Sequence, residues 1–407
     1  MKVNMPADLS DSSTAVSTRL GWVSYFNDCS SEVIARALPL FLVTGMGLTP
    51  AFVGIIEGLA EALSILLKGF SGWLSDQMES RKPLIVFGYL CSFLARVLLL
   101  FVQVPVVFGA TRLLDRTGKG IRSAPRDAMV ADSALLGNSG RAFGMLRFLD
   151  TLGAVTGLLV VLAFGVANGS LDAALFRNIV LISLPFGLVS LLLLMVWVPR
   201  LPRVAKAKKY ISFTIPKGMR SYLGIIVLFA LGNSSDAFLV LRAKEMGFEF
   251  SSILWIFVFF NILAAALAVP MGRLSDRFGR VRFLAAGWFV YAVAYAIIAF
   301  TNGKPEFVGA MTLYGAFYGF TEGVEKALLA DILAPDERGV GYGALQLGLG
   351  LSALPASFLT GTLMTHFGSR VALGVCAALA LAGTVALIIW GIVRQLSRVH
   401  MEFFDKS

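Results

Sequence analysis

Apolar residues run along this chain in blocks of about twenty, separated by short polar or basic stretches. A helix needs about 20 mostly apolar residues to cross the hydrocarbon of a bilayer. The pattern predicts such helices near 18–42, 51–74, 84–103, 105–131, 141–167 and 175–198, and six more near 219–242, 251–274, 283–301, 306–332, 339–365 and 371–396. The fourth and tenth blocks stand apart because they carry charges inside the apolar run. Between the sixth and seventh lies 199–218 (PRLPRVAKAKKYISFTIPKG), proline-flanked and strongly basic. It reads as a linker between two six-helix halves, 1–198 and 219–407. The predicted fold is an all-α integral membrane protein of twelve transmembrane helices in two six-helix bundles.

Composition agrees with that picture. The chain is 57% hydrophobic and 15% charged, whereas soluble domains carry about 25% charged residues. A water-facing globule of this length lacks its polar exterior here. The net charge of +10 could suggest nucleic acid, but the basic residues sit in clusters between apolar runs: Arg81-Lys82, Arg200 to Lys209, Lys217 to Arg220, Arg277 to Arg282 and Arg394 to Arg398. Such clusters mark cytoplasmic loops. The opposite loops, Thr44–Pro50 and Gln103–Pro105, carry no charge. Both termini are therefore expected in the cytoplasm, with the chain multi-pass in the cytoplasmic (inner) membrane and no nucleic-acid partner.

Cysteine and histidine add exclusions. Cys29, Cys91 and Cys376 each sit in an apolar run, which implies no disulfide framework. His366 and His400 are far apart and lack metal-ligand spacing. Residues 1–16 are polar, so no cleavable signal peptide is expected and the first span serves as its own insertion signal.

The halves repeat each other. GWLSD at 72–76 recurs as GRLSD at 272–276, and Gly47 answers Gly247 at the same offset. RDAMVAD (126–132) matches EKALLAD (325–331), and Ser30-Ser31-Glu32 answers Ser234-Ser235-Asp236. Two six-helix halves repeated in parallel are the plan of a secondary transporter. The chain resembles the major facilitator superfamily end to end. That family's signature between helices 2 and 3, G-x-x-x-D-[RK]-x-G-R-[RK], is kept in the second copy as Gly272, Asp276, Arg277, Gly279 and Arg280. The first copy keeps Gly72, Asp76, Arg81 and Lys82 but has Gln77, Glu79 and Ser80 where a basic residue, glycine and arginine are usual. The helix 4 signature R-x-x-x-G-x-G-x-G appears as Arg112, then Arg116 in place of the first glycine, then Gly118 and Gly120. The resemblance implies that Asp76, Arg81, Asp276 and Arg280 gate the cytoplasmic side. A glycine at 72 or 272 lets neighbouring helices approach closely.

Charges at membrane depth are the candidate chemistry, since one at a helix centre costs about 2.5–3.5 kcal/mol on insertion scales and faces the protein interior. In the fourth span Arg112, Asp115, Arg116, Lys119, Arg122 and Arg126 recur at three- and four-residue steps, within an arc of roughly 120°. The first span offers Asp28, Glu32 and Arg36, the second Glu57, Glu61 and Lys68, the fifth Arg147 and Asp150. One reading pairs these groups and makes them structural. The other gives Arg112, Arg116, Lys119 and Arg122 an anionic substrate and lets Glu32, with Asp28, Glu61 or Glu57 as substitutes, carry a proton. Arg126 and Asp127, near the cytoplasmic end, read as structural. The second half is poorer in charge, with Asp236, Glu322, Glu325 and Lys326, and richer in aromatics, including Trp255, Phe257, Phe259 and Phe260 in its second span and Tyr314, Phe317, Tyr318 and Phe320 in its fourth.

No G-x-x-x-x-G-K-[ST] loop is present, so ATP is not the expected energy source. The expectation is a monomeric, proton-coupled transporter, not an enzyme, without cofactors. It would move a small anionic organic solute (a carboxylate, an organophosphate or a polycarboxylate siderophore) by alternating access. Proton-coupled multidrug efflux is the alternative. From another class comes a non-transporting receptor or scaffold, which would call for a folded extension longer than either tail.

Overall fold

The computed structural model describes residues 8–101, 104–133, 139–164, 172–200, 215, 219–333 and 338–404. Most of the 199–218 linker lies outside the described residues, as do the side chains of Asp276, Glu322 and Lys326. Among the described residues the structure is helical without strands. The elements are α1 (Asp8–Leu40), one π-helical turn (Phe41–Gly45), α2 (Pro50–Ser75), α3 (Lys82–Leu98), α4 (Pro105–Ser133), α5 (Ser139–Ala163) and α6 (Ala173–Val196). Then come α7 (Arg220–Gly232), α8 (Ala237–Glu245), α9 (Phe250–Phe278), α10 (Arg280–Phe300), α11 (Lys304–Ile332) and α12 (Arg338–Phe404). Among the described residues, seven stretches are long and apolar enough to cross a membrane.

The elements depart from the predicted blocks in three places. α1 starts about three turns earlier than the apolar block, in the largely polar stretch Asp8–Thr18. The predicted span 219–242 is broken into α7 and α8, because 233–236 reads Asn-Ser-Ser-Asp and these side chains compete for backbone hydrogen bonds. Two predicted spans, 339–365 and 371–396, form α12, which is interrupted at Gly368 (φ 83°). Each predicted block has a helical counterpart among the described residues when α7 and α8 are taken together and α12 is divided at Gly368.

Local sequence sets the ends. Proline occupies the first turn of α3 and of α11, where its missing N–H costs nothing. Asp172 caps α6, its carboxylate accepting the Leu175 N–H at 2.8 Å. Gly47 and Gly247 both have positive φ (69° and 76°), so the sequence repeat is also a repeat of backbone shape.

The described chain divides into two compact units. The first takes in residues of 1–48, 59–208 and 247–258, the second those of 49–58, 209–246 and 259–407. In the first unit α1 lies along α5 and α6, and α3 along α4 and α6. Its core includes Leu20, Val23, Ile85, Tyr89, Val130 and Leu194. α4 approaches two neighbours at its glycines. A Cβ on Gly120 would lie 2.6 Å from the Ser64 carbonyl oxygen of α2, and one on Gly118 would lie 2.6 Å from Ser92 Oγ of α3. The close fit explains the glycines of the helix 4 signature: larger residues would push α4 off both partners. Ser71 Oγ donates to the Gly120 carbonyl at 3.0 Å and fastens α2 to the same point.

In the second unit α10 lies along α11 and α12, and α12 along α7. Phe229 and Trp288 stack with centroids 4.1 Å apart. Arg242 of α8 is buried and caps the end of α10, donating to the carbonyls of Thr301 (2.9 Å) and Ile298 (3.3 Å). The last carbonyls of a helix have no internal partner and favour a cation. Arg242 also donates to Ser369 Oγ (3.2 Å), beside the Gly368 break, and Ser369 in turn donates to Glu245.

Candidate functional site

The charges of α4 do not form one free stripe; they are shared among neighbouring helices. Arg112 is buried, with Nη1 3.7 Å from Asp115. Asp115 also receives Arg96 of α3 at 3.8 Å, so one carboxylate serves two guanidiniums. Arg116 reaches Glu61 of α2 at 3.5 Å, while its Nε is buried without a hydrogen-bond partner. Arg122 is buried and makes neutral contacts: its Nη1 donates to Ser92 Oγ at 2.5 Å, and its guanidinium carbon lies 4.6 Å from the Tyr89 ring centre. Arg126 donates to Ser24 Oγ of α1 at 2.6 Å and approaches Asp127 (3.0 Å) and Asp150 of α5 (3.8 Å). Lys119 is exposed; the carboxylates of Glu61, Asp28 and Glu32 act on its ammonium electrostatically, and none forms an ion pair with it among the described residues.

The carboxylates proposed to carry a proton differ in their partners. Glu32 is held by Arg36 one turn on, with Nη2 at 2.6 Å and Nε at 3.0 Å. Arg36 also lies 3.8 Å from the Phe257 ring centre. Glu61 faces Arg116. Glu57 is buried in the stretch of α2 that packs within the second unit. Asp28 accepts a hydrogen bond from the Asn27 amide at 3.0 Å and has no cation within ion-pair distance among the described residues. Asp150 keeps one buried oxygen without a hydrogen-bond partner.

Three residues absent from the sequence reading hold this cluster together. Arg96 donates to Asn27 Oδ1 at 2.9 Å, linking α3 to α1, and Ser92 Oγ donates to the Asp115 carbonyl at 3.2 Å. Arg96 is a lone basic residue at the end of an apolar block and gives no periodic signal. A small cavity, with room for about one water (≈ 20 Å³), opens between Ser31, Arg96, Thr111, Arg112 and Asp115.

The loop signatures differ in shape between the two copies. In the first, Asp76 to Arg81 form a six-residue connection. Arg81 Nη1 donates to Asp76 (2.8 Å) and to Ser75 Oγ (2.7 Å), and Lys82 donates to the carbonyls of Met195 (2.8 Å), in the last turn of α6, and Val198 (2.6 Å), just past it. In the second, Gly279 alone (φ 95°) separates α9 from α10. Only a residue without a Cβ adopts that conformation readily. Glu79 stands at the matching place in the first copy, which accounts for the longer loop there. Gly72 is close-packed, since a Cβ would meet Ala124 Cβ at 3.3 Å. Arg280 pairs with Asp331 of α11 at 3.0 Å. The Asp276 side chain lies outside the described residues.

Of the aromatics, Trp255 and Phe259 are exposed, whereas Phe257, Phe260, Tyr314 and Phe317 are buried.

Comparison with known proteins places this arrangement. The sequence profile of the Major Facilitator Superfamily matches residues 20–241 and 221–401. An uncharacterised transporter of the major facilitator type from Methanocaldococcus jannaschii is 33% identical over 358 residues, covering 84% of this chain and 87% of that protein. The multidrug resistance protein MdtH of Proteus mirabilis is 22% identical over 91% of this chain and 92% of its own. Among solved structures, the nucleoside transporter NupG aligns with a TM-score of 0.73 at 14% identity, covering 92% of this chain and 98% of its own. The human organic anion transporter MFSD10 aligns with a TM-score of 0.66 at 15% identity, covering 94% of this chain and all of its own. A charged first unit, paired loop signatures and a repeated all-helical membrane fold thus meet in one assignment: the chain belongs to the major facilitator superfamily and is a membrane transporter, not an enzyme.

Proposed function

We propose that this transporter moves a small anionic organic solute (a carboxylate, an organophosphate or a polycarboxylate siderophore) by proton-coupled alternating access. One observation carries the reading. On consecutive turns of α4, the Lys119 ammonium makes no ion pair and the buried Arg116 Nε no hydrogen bond among the described residues, although Glu61, Asp28 and Glu32 act on Lys119 from a distance. Arg122, a turn further on, makes only neutral contacts. Unspent cationic donors at membrane depth are costly to keep and suit an anion that completes them. Arg112 adds positive charge at the other end of the group, shared with Arg96 over a single carboxylate.

Asp28 is the better candidate for the proton than Glu32, because Glu32 is already neutralised by Arg36 at 2.6 Å. Glu61 and Glu57 are secondary candidates. Asp76 with Arg81, and Asp276 with Arg280, act as cytoplasmic gates. The termini and the 199–218 linker lie in the cytoplasm, in a monomer of the inner membrane. Multidrug efflux is the second reading, supported by the likeness to MdtH. Purified protein reconstituted in liposomes tests the choice. Uptake of an anionic probe that follows an imposed pH gradient, and is lost in Lys119→Met, supports anion transport. Transport of lipophilic cations with no anion affinity would overturn it.

A further inference from the structure

The second unit carries a polar mouth over a buried aromatic cluster, at the break between α7 and α8. Residues 233–236 are non-helical in the middle of an apolar stretch. Irregular backbone at membrane depth survives where it is packed in protein or lines a polar cavity, and interrupted helices are where transporters hold ions and charged groups.

Asp236 stands at the N-cap position of α8, where a carboxylate ordinarily accepts the first free N–H groups. It makes no such bond. Ser235 Oγ takes the Ala237 N–H instead, at 3.3 Å. The Asp236 carboxylate accepts the Tyr314 hydroxyl of α11 at 2.8 Å, and Tyr314 lies 3.2 Å from the Tyr318 hydroxyl. Asn233, Ser235, Asp236 and Tyr318 are half-buried, so this face is open.

Aromatic rings enclose the rest. Tyr318 meets Phe260 edge-on at 5.4 Å and Phe317 at 5.1 Å. Tyr291, Tyr295 and Tyr314 are wholly buried behind them, with Tyr291 and Tyr295 stacked at 4.2 Å and Tyr295 edge-on to Tyr314 at 5.4 Å. The Tyr291 hydroxyl donates to the Gly232 carbonyl at 2.9 Å, which ties this cluster to the end of α7.

A carboxylate among ring faces suits one class of ligand. Hard metal cations need oxygen ligands on all sides, whereas Phe260 and Phe317 line part of this place with carbon alone. Ring faces attract an ammonium that carries alkyl groups, and the carboxylate balances its charge. We propose that Asp236, Tyr314 and Tyr318, with Phe260 and Phe317, form a binding site for an organic ammonium group. The site stands on observations separate from those at Lys119.

The test uses the full chain purified in detergent, with choline, tetramethylammonium, sodium chloride and sodium acetate as probes. Binding is read by calorimetry and thermal shift in the wild type, Asp236→Asn, Tyr318→Ala and Lys119→Met. Choline and tetramethylammonium should bind the wild type saturably, and Asp236→Asn should weaken them about tenfold or more. Tyr318→Ala should weaken them as well, and it decides the question if Asp236→Asn does not fold. Lys119→Met should leave choline binding unchanged. No binding of either ammonium to the wild type, or equal binding to the variants that fold, overturns the proposal. So does a saturable sodium effect with choline silent. Acetate binding that survives Lys119→Met would sink the anion reading and leave this one standing.

Discussion

Arg96 of α3 donates to Asn27 of α1 at 2.9 Å while facing Asp115 of α4 at 3.8 Å, so a single guanidinium joins three helices of the first unit. Removing one member of a buried ion pair leaves the other charge uncompensated, at a cost of about 3–5 kcal/mol. Arg96→Met should therefore lower the melting temperature strongly. Adding Asp115→Asn should recover part of the loss. Full stability in Arg96→Met alone would show that the cluster holds nothing together.

Lys119→Met should behave in the opposite way. With no fixed partner to orphan, its removal should leave stability nearly unchanged and weaken an anionic substrate by about 1.5–3 kcal/mol, or roughly 10- to 150-fold. Ligand titration beside a melting curve separates the two effects. A large fall in melting temperature with unchanged affinity would assign Lys119 a structural role.

Asp28→Asn should abolish uphill, pH-driven transport and spare exchange of labelled for unlabelled substrate, since exchange needs no net proton movement. Glu32→Gln should instead release Arg36, and its main effect should be on stability. Concentrative uptake surviving in Asp28→Asn, and lost in Glu32→Gln, would return the proton to Glu32.

At the loops, Asp76→Asn and Asp331→Asn each remove the acidic partner of an arginine, Arg81 and Arg280 respectively. Both should slow the transport cycle with little change in substrate affinity. Maximal rate and half-saturation, measured separately, check this; a lost affinity at constant maximal rate is the contrary outcome.

A tag on residue 407, or a cysteine placed in 199–218, should be reached by impermeant reagents only from the cytoplasmic side. Labelling from outside in intact cells would reverse the orientation and every loop placed by it.

The helices were legible because apolar runs of membrane length have few other uses, and the repeat of GWLSD and GRLSD tied the halves together. The α7–α8 break was less so, although Asn233-Ser234-Ser235-Asp236 offered four capping residues in a row as a signal. The charged face of α4 was visible from spacing alone, but its pairing was not. Spacing gives the angle around one helix, whereas Arg126 finds Ser24 and Asp150 on two others. Arg96 and Asn27 had no pattern to betray them, since Arg96 is the one charge deep in α3, Asn27 is an uncharged neighbour of Asp28, and their bond exists only across the gap between α3 and α1.

Gly279 and the six-residue connection at Asp76–Arg81 make the two repeats mechanically unequal. A single glycine with positive φ turns the chain in one residue, so the last turn of α9 abuts the first turn of α10. The longer connection between α2 and α3 is a tether, able to absorb displacement, with Arg81 and Lys82 as its two clasps. The second half therefore joins its two helices directly, and the first through a connection long enough to carry a clasp at its far end.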